Sequence, residues 1–272
     1  MVWRLMSTLA LGALSSSAAS SIVAECAAKE APQRRAIVFG ATGATGQQVV
    51  KNLLNSKRSS WEVTAVSRRP FFNDTAGLVP LVVDNLGSKS AEVVSVTALL
   101  KGNYDAVFVC TGTTRGAAGS ADAFVDVEVG LTRQWMRVGA DVGVLHTAVV
   151  SAQHANKDLW VPSTLLHPLL YLRTLGQKQQ AVIEAEFPSC SIFQPGMLNR
   201  LQGDRLWENV VNYMGIGLRV DHLARAMIAD AEDKLETLNA SFSREERDDA
   251  GEKVIEFFGG NVNIEVVARR YA

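Results

Sequence analysis

Gly40, Gly43 and Gly46 stand between a short apolar run and an amphipathic one, a pattern whose chemistry would be the holding of a phosphate. Ala36–Phe39 has the composition of a strand buried on both faces. Val49, Val50, Leu53 and Leu54 share one face of a helix. The glycines therefore fall where a strand turns into a helix. Gly40 permits the sharp turn, Gly43 lets backbone approach a pyrophosphate, and Gly46 lets helix and strand pack closely. With Thr42, Ala44 and Thr45 they form the expected cradle, and the helix N-terminus adds free N–H groups and partial positive charge. The competing reading is a tight turn that holds no ligand.

A second strand, Trp61–Val66, runs into Ser67, Arg68 and Arg69, where an NAD-binding unit would place a carboxylate on the ribose 2′-hydroxyl. Two guanidinium groups there suit a 2′-phosphate, so NADP(H) is expected over NAD(H); the alternative is a solvated arginine pair. Val79–Asp84 reads as a third strand, and Asp84 and Asn85 at its end either meet an adenine or cap a helix over Ser88–Leu100. The fourth strand, Asp105–Cys110, is followed by Thr111, Gly112 and Thr113, the start of a hydroxyl- and glycine-rich turn reaching Gly116. Ligands in open parallel sheets lie outside the carboxyl ends of strands, which puts this turn over the cofactor.

The positioning elements follow from periodicity. Phe124, Val127, Leu131, Trp135 and Val138 form a core stripe on a helix over Asp122–Ala140. Val144–Val150 is a fifth strand, Ala152–His167 has the length of an active-site loop, and Pro168 suits the start of a helix that carries Tyr171. Val220, Leu223, Met227 and Ile228 mark a helix assigned to a C-terminal lobe. Val254–Phe258 is a last strand, with Asn261 as cap of a final helix. The fold class is α/β, a doubly wound parallel sheet with a small C-terminal substrate lobe, over residues 35–272.

Residues 1–34 read as a targeting leader or a disordered extension. Leu5–Ala24 is uncharged and rich in Ala, Ser and Leu, Arg4 precedes it, and no acidic residue occurs before Glu25. A mitochondrial address is preferred; a secretory or a cytoplasmic place is the alternative, and the serines make a strong membrane span a poor reading. Net charge is −1 and no basic run occurs, which argues against a nucleic-acid surface. Cys26, Cys110 and Cys190 read as free thiols, and no histidine pair has metal-ligand spacing, so no metal is expected.

Gly40–Gly46, Ser67–Arg69, Val82–Asp84, Thr111–Gly116 and Phe193–Gly196 together carry a family resemblance from about Arg35 to Arg269. The chain resembles the Tat-interacting-protein-like oxidoreductases, which are atypical short-chain dehydrogenases, and their fungal mitochondrial relatives. The resemblance implies an NADP(H)-binding sheet, Tyr171 as proton donor and cofactor contact, a lysine one turn later that holds the ribose, Ser151 as the group that orients a carbonyl, and Gly196 at the cofactor. Four residues after Tyr171, where such enzymes carry a lysine, stands Leu175. Lys178 lies about 10 Å beyond Tyr171 along a helix axis. The family's serine pair is reduced to Ser151 and Ala152, and its arginine before Pro195 is Gln194. His154 and His167 border the expected cleft. The resulting expectation is a nucleotide-binding scaffold or regulatory protein with degenerate catalytic residues; the alternatives are an active NADPH-dependent reductase of a small carbonyl compound and an accessory subunit of an organellar membrane complex with structural NADPH.

Overall fold

Runs of β-branched and aromatic residues form the strands, and among the described residues seven of them make one sheet in which every neighbouring pair is parallel. The computed structural model describes residues 33–69, 75–83, 103–161, 167–199, 217–241 and 253–271, all within the unit Gln33–Ala272. The strands are β1 (Gln33–Phe39), β2 (Ser60–Ser67), β3 (Leu78–Val82), β4 (Ala106–Val109), β5 (His146–Val150), β6 (Ser189–Gln194) and β9 (Val254–Gly259). A two-stranded ribbon, β7 (Leu198–Asn199) and β8 (Leu218–Arg219), lies outside that sheet.

Among the described residues the α-helices are α1 (Ala44–Leu54), α2 (Arg115–Ala118), α3 (Ala121–Val125), α4 (Leu131–Asp141), α5 (His167–Glu184), α6 (Val220–Ser241) and α7 (Asn261–Ala268). Successive residues of β1 enter opposite layers, as the pleat requires. Ala36 and Val38 pack with Val49, Leu53, Leu223 and Met227, whereas Ile37 and Phe39 pack with Trp135, Val138 and Val182. Helices therefore cover both faces, and Phe39 stacks on Trp135 with ring centroids 4.1 Å apart. Each such side chain contributes about 1.5–3 kcal/mol when fully buried.

β3 spans Leu78–Val82 where the sequence reads Val79–Asp84, and four further elements differ from the sequence reading. The expected helix Asp122–Ala140 is α3 and α4 joined by a π-helix, Asp126–Gly130, and the inserted residue turns Glu128 into the core stripe beside Val129. The fifth strand begins at His146, because Gly143 adopts φ 68° and turns the chain just before it. α6, assigned to a lobe, packs on α1 and the sheet: its periodicity gave it an apolar face, and that face meets the main core. Asn261 opens α7 without capping it, since Gly260 occupies the cap and the Asn261 side chain accepts a hydrogen bond from the Gly196 N–H at 2.9 Å. The helix expected over 88–100, with Asp84 and Asn85, lies outside the described residues.

Candidate nucleotide site

Strand order runs outward in one direction from β1 through β2 to β3 and in the other from β4 onward, so the crevice between β1 and β4 is the topological switch point. Gly40 sits there with φ 77°, and a β-carbon on it would fall 2.7 Å from the Thr111 nitrogen. The turns after β1 and β4 thus touch through the space a side chain would fill. At Gly46 a β-carbon would lie 2.2 Å from the Gly40 oxygen, which only glycine allows. Thr42, Gly43 and Ala44 are exposed, Thr45 is half-buried, and the Gly43 N–H donates to the Gly40 carbonyl at 2.9 Å.

Gly43 is the cap residue of α1 and provides no side chain to bond the first turn. The N–H groups opening an α-helix have no intrahelical acceptors, which leaves the amides of Ala44, Thr45 and Gly46 as donors without partners inside α1. Donors at a helix N-terminus suit a pyrophosphate in charge. Arg68 and Arg69 are exposed beyond β2, on the same edge of the sheet, with Ser67 Oγ donating to the Arg69 carbonyl at 2.7 Å. Neither guanidinium forms an ion pair with a described residue.

The second turn is committed inward more than its composition suggests. The Thr113 N–H donates to Glu128 Oε1 at 2.7 Å, the Thr114 hydroxyl accepts from the Ala117 N–H as the cap of α2, and the Thr111 carbonyl accepts from Lys178 Nζ at 2.8 Å. Lys178 Nζ also lies 3.1 Å from Glu128 Oε2, and the side chains of the pair are 2% and 4% exposed. Thr111 Oγ1 is buried without a partner among the described residues, and Gly112 is exposed. Beside this turn, burial pushes the Cys110 thiol up to about 12, and it raises Cys190 to about 11; both are free.

Tyr171 is half-buried and its ring stacks on Phe124, with centroids 6.2 Å apart. Leu175 is 3% exposed. Ser151 is buried, and its hydroxyl accepts from Gln179 Nε2 at 2.8 Å. Gln179 stands eight residues after Tyr171 in α5, about 12 Å along the axis at 1.5 Å per residue, so Ser151 is fixed to a later turn than the one that carries the tyrosine. Gly196 is held by Asn261, and a β-carbon on it would sit 3.1 Å from Gln153 Oε1. His154 is exposed with φ 62°, and the side chain of His167 lies outside the described residues.

Glu128 and Gln179 were not singled out in the sequence. Their signal was a carboxylate four residues after Phe124 and three before Leu131, within the apolar face, and an amide one turn after Leu175. Gly176 explains why α5 and the loop before it fit: a β-carbon there would meet the Lys157 nitrogen at 2.1 Å. Among the described residues no helix is long and apolar enough to cross a membrane.

A family model described as NAD(P)H-binding matches residues 40–231, a span that holds the glycine turn, Arg68, the Thr111 turn and Tyr171. The mitochondrial protein FMP52 of Lodderomyces elongisporus is 31% identical over 167 residues, which is 60% of this chain and 66% of that protein. HTATIP2 of Rattus norvegicus is 28% identical over 164 residues, covering 59% of this chain and 61% of its own length. The match spans just under two thirds of these relatives. A UDP-glucuronic acid 4-epimerase from Bacillus cereus in complex with NAD superposes with TM-score 0.55 at 14% identity, covering 88% of this chain and 91% of the enzyme. Gre2 from Candida albicans gives 0.54 at 17% identity, covering 82% and 77%. At such identities the likeness is one of fold. With the switch-point crevice, the glycine cradle and a matching family model that spans most of the sheet, the chain belongs to the NAD(P)H-binding family.

Proposed function

We propose that this protein is an NADP(H)-binding scaffold or regulatory protein of the atypical short-chain dehydrogenase type, which keeps its nucleotide site and has lost efficient hydride chemistry. The observation that carries this reading is a contrast along one crevice: the Gly40–Gly46 cradle is open and uncapped, whereas Leu175 fills the position of the expected lysine. A bound NADPH would supply a hydride to a carbonyl carbon. Tyr171 would have to deliver a proton from its hydroxyl, and leucine provides neither a positive charge to favour a phenolate nor a donor for a ribose hydroxyl. Lys178 is spent on Glu128 and the Thr111 carbonyl. Ser151 accepts from Gln179 and keeps its own O–H as a donor, so the loss rests on the missing lysine. Arg68 and Arg69 support the choice of NADPH over NADH, because a charge-assisted contact to a 2′-phosphate contributes about 1.5–3 kcal/mol.

Calorimetry with both cofactors is the test. NADPH should bind roughly 10- to 150-fold more tightly than NADH, and Arg68→Ala with Arg69→Ala should remove most of the difference. NADPH oxidation in the presence of aldehydes and ketones should stay near the rate without protein. Fast reduction that Tyr171→Phe abolishes would overturn the scaffold reading in favour of an active reductase. The designation of the FMP52 relatives as mitochondrial, together with the acid-free run Leu5–Ala24, supports a mitochondrial place for this chain. Fractionation that finds the full chain outside mitochondria would remove that assignment.

A further inference from the structure

Lys178 and Glu128 are the charged pair most completely withdrawn from water along the cofactor edge of the sheet, with residue exposures of 2% and 3%. Withdrawal of two opposite charges is costly, and a pair of apolar residues would fill the same space at least as stably. What the pair does in addition is bond backbone. Lys178 Nζ donates to the Thr111 carbonyl at 2.8 Å, and Glu128 Oε1 accepts from the Thr113 N–H at 2.7 Å, with the 3.1 Å ion pair joining the two anchors. The residues on either side of Gly112 are therefore clamped from below by one bridge.

The way Glu128 reaches that turn is itself unusual. The π-helix Asp126–Gly130 presents Glu128 and Val129 together to the interior, and the Thr132 hydroxyl donates at 2.7 Å to the Glu128 carbonyl. Such insertions are uncommon in helices and concentrate at functional sites. Here the inserted turn aims at the loop that touches Gly40 across the switch point.

We propose that Lys178 and Glu128 are positioning residues of the nucleotide site, which set the Thr111–Gly116 turn for the nicotinamide-ribose half of a dinucleotide. The inference rests on the nucleotide-binding reading above and adds a division of labour to it. The crevice seats a dinucleotide across the switch point, the adenosine half over β1 and β2 and the other half over β4 and β5. Arg68 and Arg69 stand on the first side and the clamped turn on the second. Loss of the clamp should consequently weaken ligands that extend past β4 and spare those that stop at the pyrophosphate.

The test uses the full chain with two probes, NADPH and adenosine 2′,5′-bisphosphate, titrated by calorimetry, with folding checked by circular dichroism. Lys178→Met and Glu128→Gln should each raise the dissociation constant of NADPH by about tenfold or more and leave that of the bisphosphate within about threefold. Lys178→Arg, which restores a donor and a positive charge, should recover a large part of the loss. If Lys178→Met does not fold, the isosteric Glu128→Gln decides. Equal weakening of both probes in a folded variant would make the pair a core element only and overturn the proposal. NADPH affinity unchanged in folded Glu128→Gln would also overturn it. Failure of the unmutated protein to bind either probe would instead bring down the nucleotide reading, and this inference with it.

Discussion

Lys178 and Glu128 lie under the carboxyl ends of the strands, while His146 and Ser189 begin β5 and β6 at the opposite edge beside Asp230 of α6, and both clusters are almost wholly buried. The first brings opposite charges to 3.1 Å and bonds them to backbone. The second forms no such ion pair, because burial keeps its histidine unprotonated. Burial, with Lys234 nearby, pushes His146 down to about 3, and burial raises Asp230 to about 6 against the pull of Ser191 and Lys234. His146 Nδ1 is 3.0 Å from Ser189 Oγ, but its Nε2 stands 3.6 Å from Asp230 Oδ2, beyond hydrogen-bond length. Serine, histidine and aspartate are thus together with exposures of 1%, 0% and 4%, and no surface on which a substrate could meet them. Residue type alone does not make a site. Position at the switch-point edge distinguishes the two clusters, and only the charged one touches a loop at that crevice.

The largest expected effect breaks the charged cluster. Lys178→Met leaves Glu128 buried without its partner and should destabilise the fold by about 3–5 kcal/mol. Lys178→Met combined with Glu128→Leu removes both charges and should regain most of that loss, because the desolvation cost disappears with them. Urea denaturation of the single and double variants measures the difference. A double variant as unstable as the single one would show that the backbone bonds to Thr111 and Thr113, and not the charges, dominate the cluster.

This cluster also marks where the sequence stopped being legible. The strand, glycine turn and helix over Ala36–Leu54 are local: hydrophobic period and glycine position specify them together, and β1, Gly40 and α1 stand where those signals put them. The pairing of Glu128 with Lys178 is not local. It joins residues fifty positions apart through a π-helix that periodicity cannot announce, since one inserted residue rotates every later side chain. α6 was legible as an amphipathic helix, but an apolar face does not name its partner, and only the tertiary structure sets it on α1. Tyr171 was legible as a helix residue; its stacking on Phe124 was not.

The His146–Asp230 cluster gives a smaller effect with a definite sign. His146 titrates near 6.5 when unfolded and about 3 when folded, so the unfolded chain binds the extra proton in that window and stability falls as pH drops. Asp230 is the reverse, about 6 folded against 3.8 unfolded, so its protonation favours the native state as pH drops through 6. Between pH 6 and 4 the two contributions nearly cancel. Asp230→Asn removes the compensating proton uptake, and the variant should lose about 2–3 kcal/mol more than the unmutated protein over that interval, at about 1.4 kcal/mol per pH unit. Denaturant titrations at pH 4, 5, 6 and 7 test this, and parallel profiles for the two proteins would show that Asp230 does not take up its proton early in the native state.

The smallest effect returns to the cofactor edge, where Asn261 Oδ1 accepts the Gly196 N–H at 2.9 Å and ties the start of α7 to the turn after β6. Gly196 and Asn261 are both half-buried, so water can partly replace the lost acceptor. Asn261→Ala should therefore cost about 0.5–1.5 kcal/mol, the usual net contribution of one such bond. The comparison between edges sharpens here. The residue secures a loop at the end of the crevice without touching Arg68, Arg69 or the glycine cradle, so the ratio of NADPH to NADH affinity should not move even if both affinities fall a little. Thermal denaturation and paired cofactor titrations give the two readings. A changed ratio would place Gly196 in contact with the part of the nucleotide that carries the 2′-phosphate, and the assignment of that part to the β1 and β2 side would have to be redrawn.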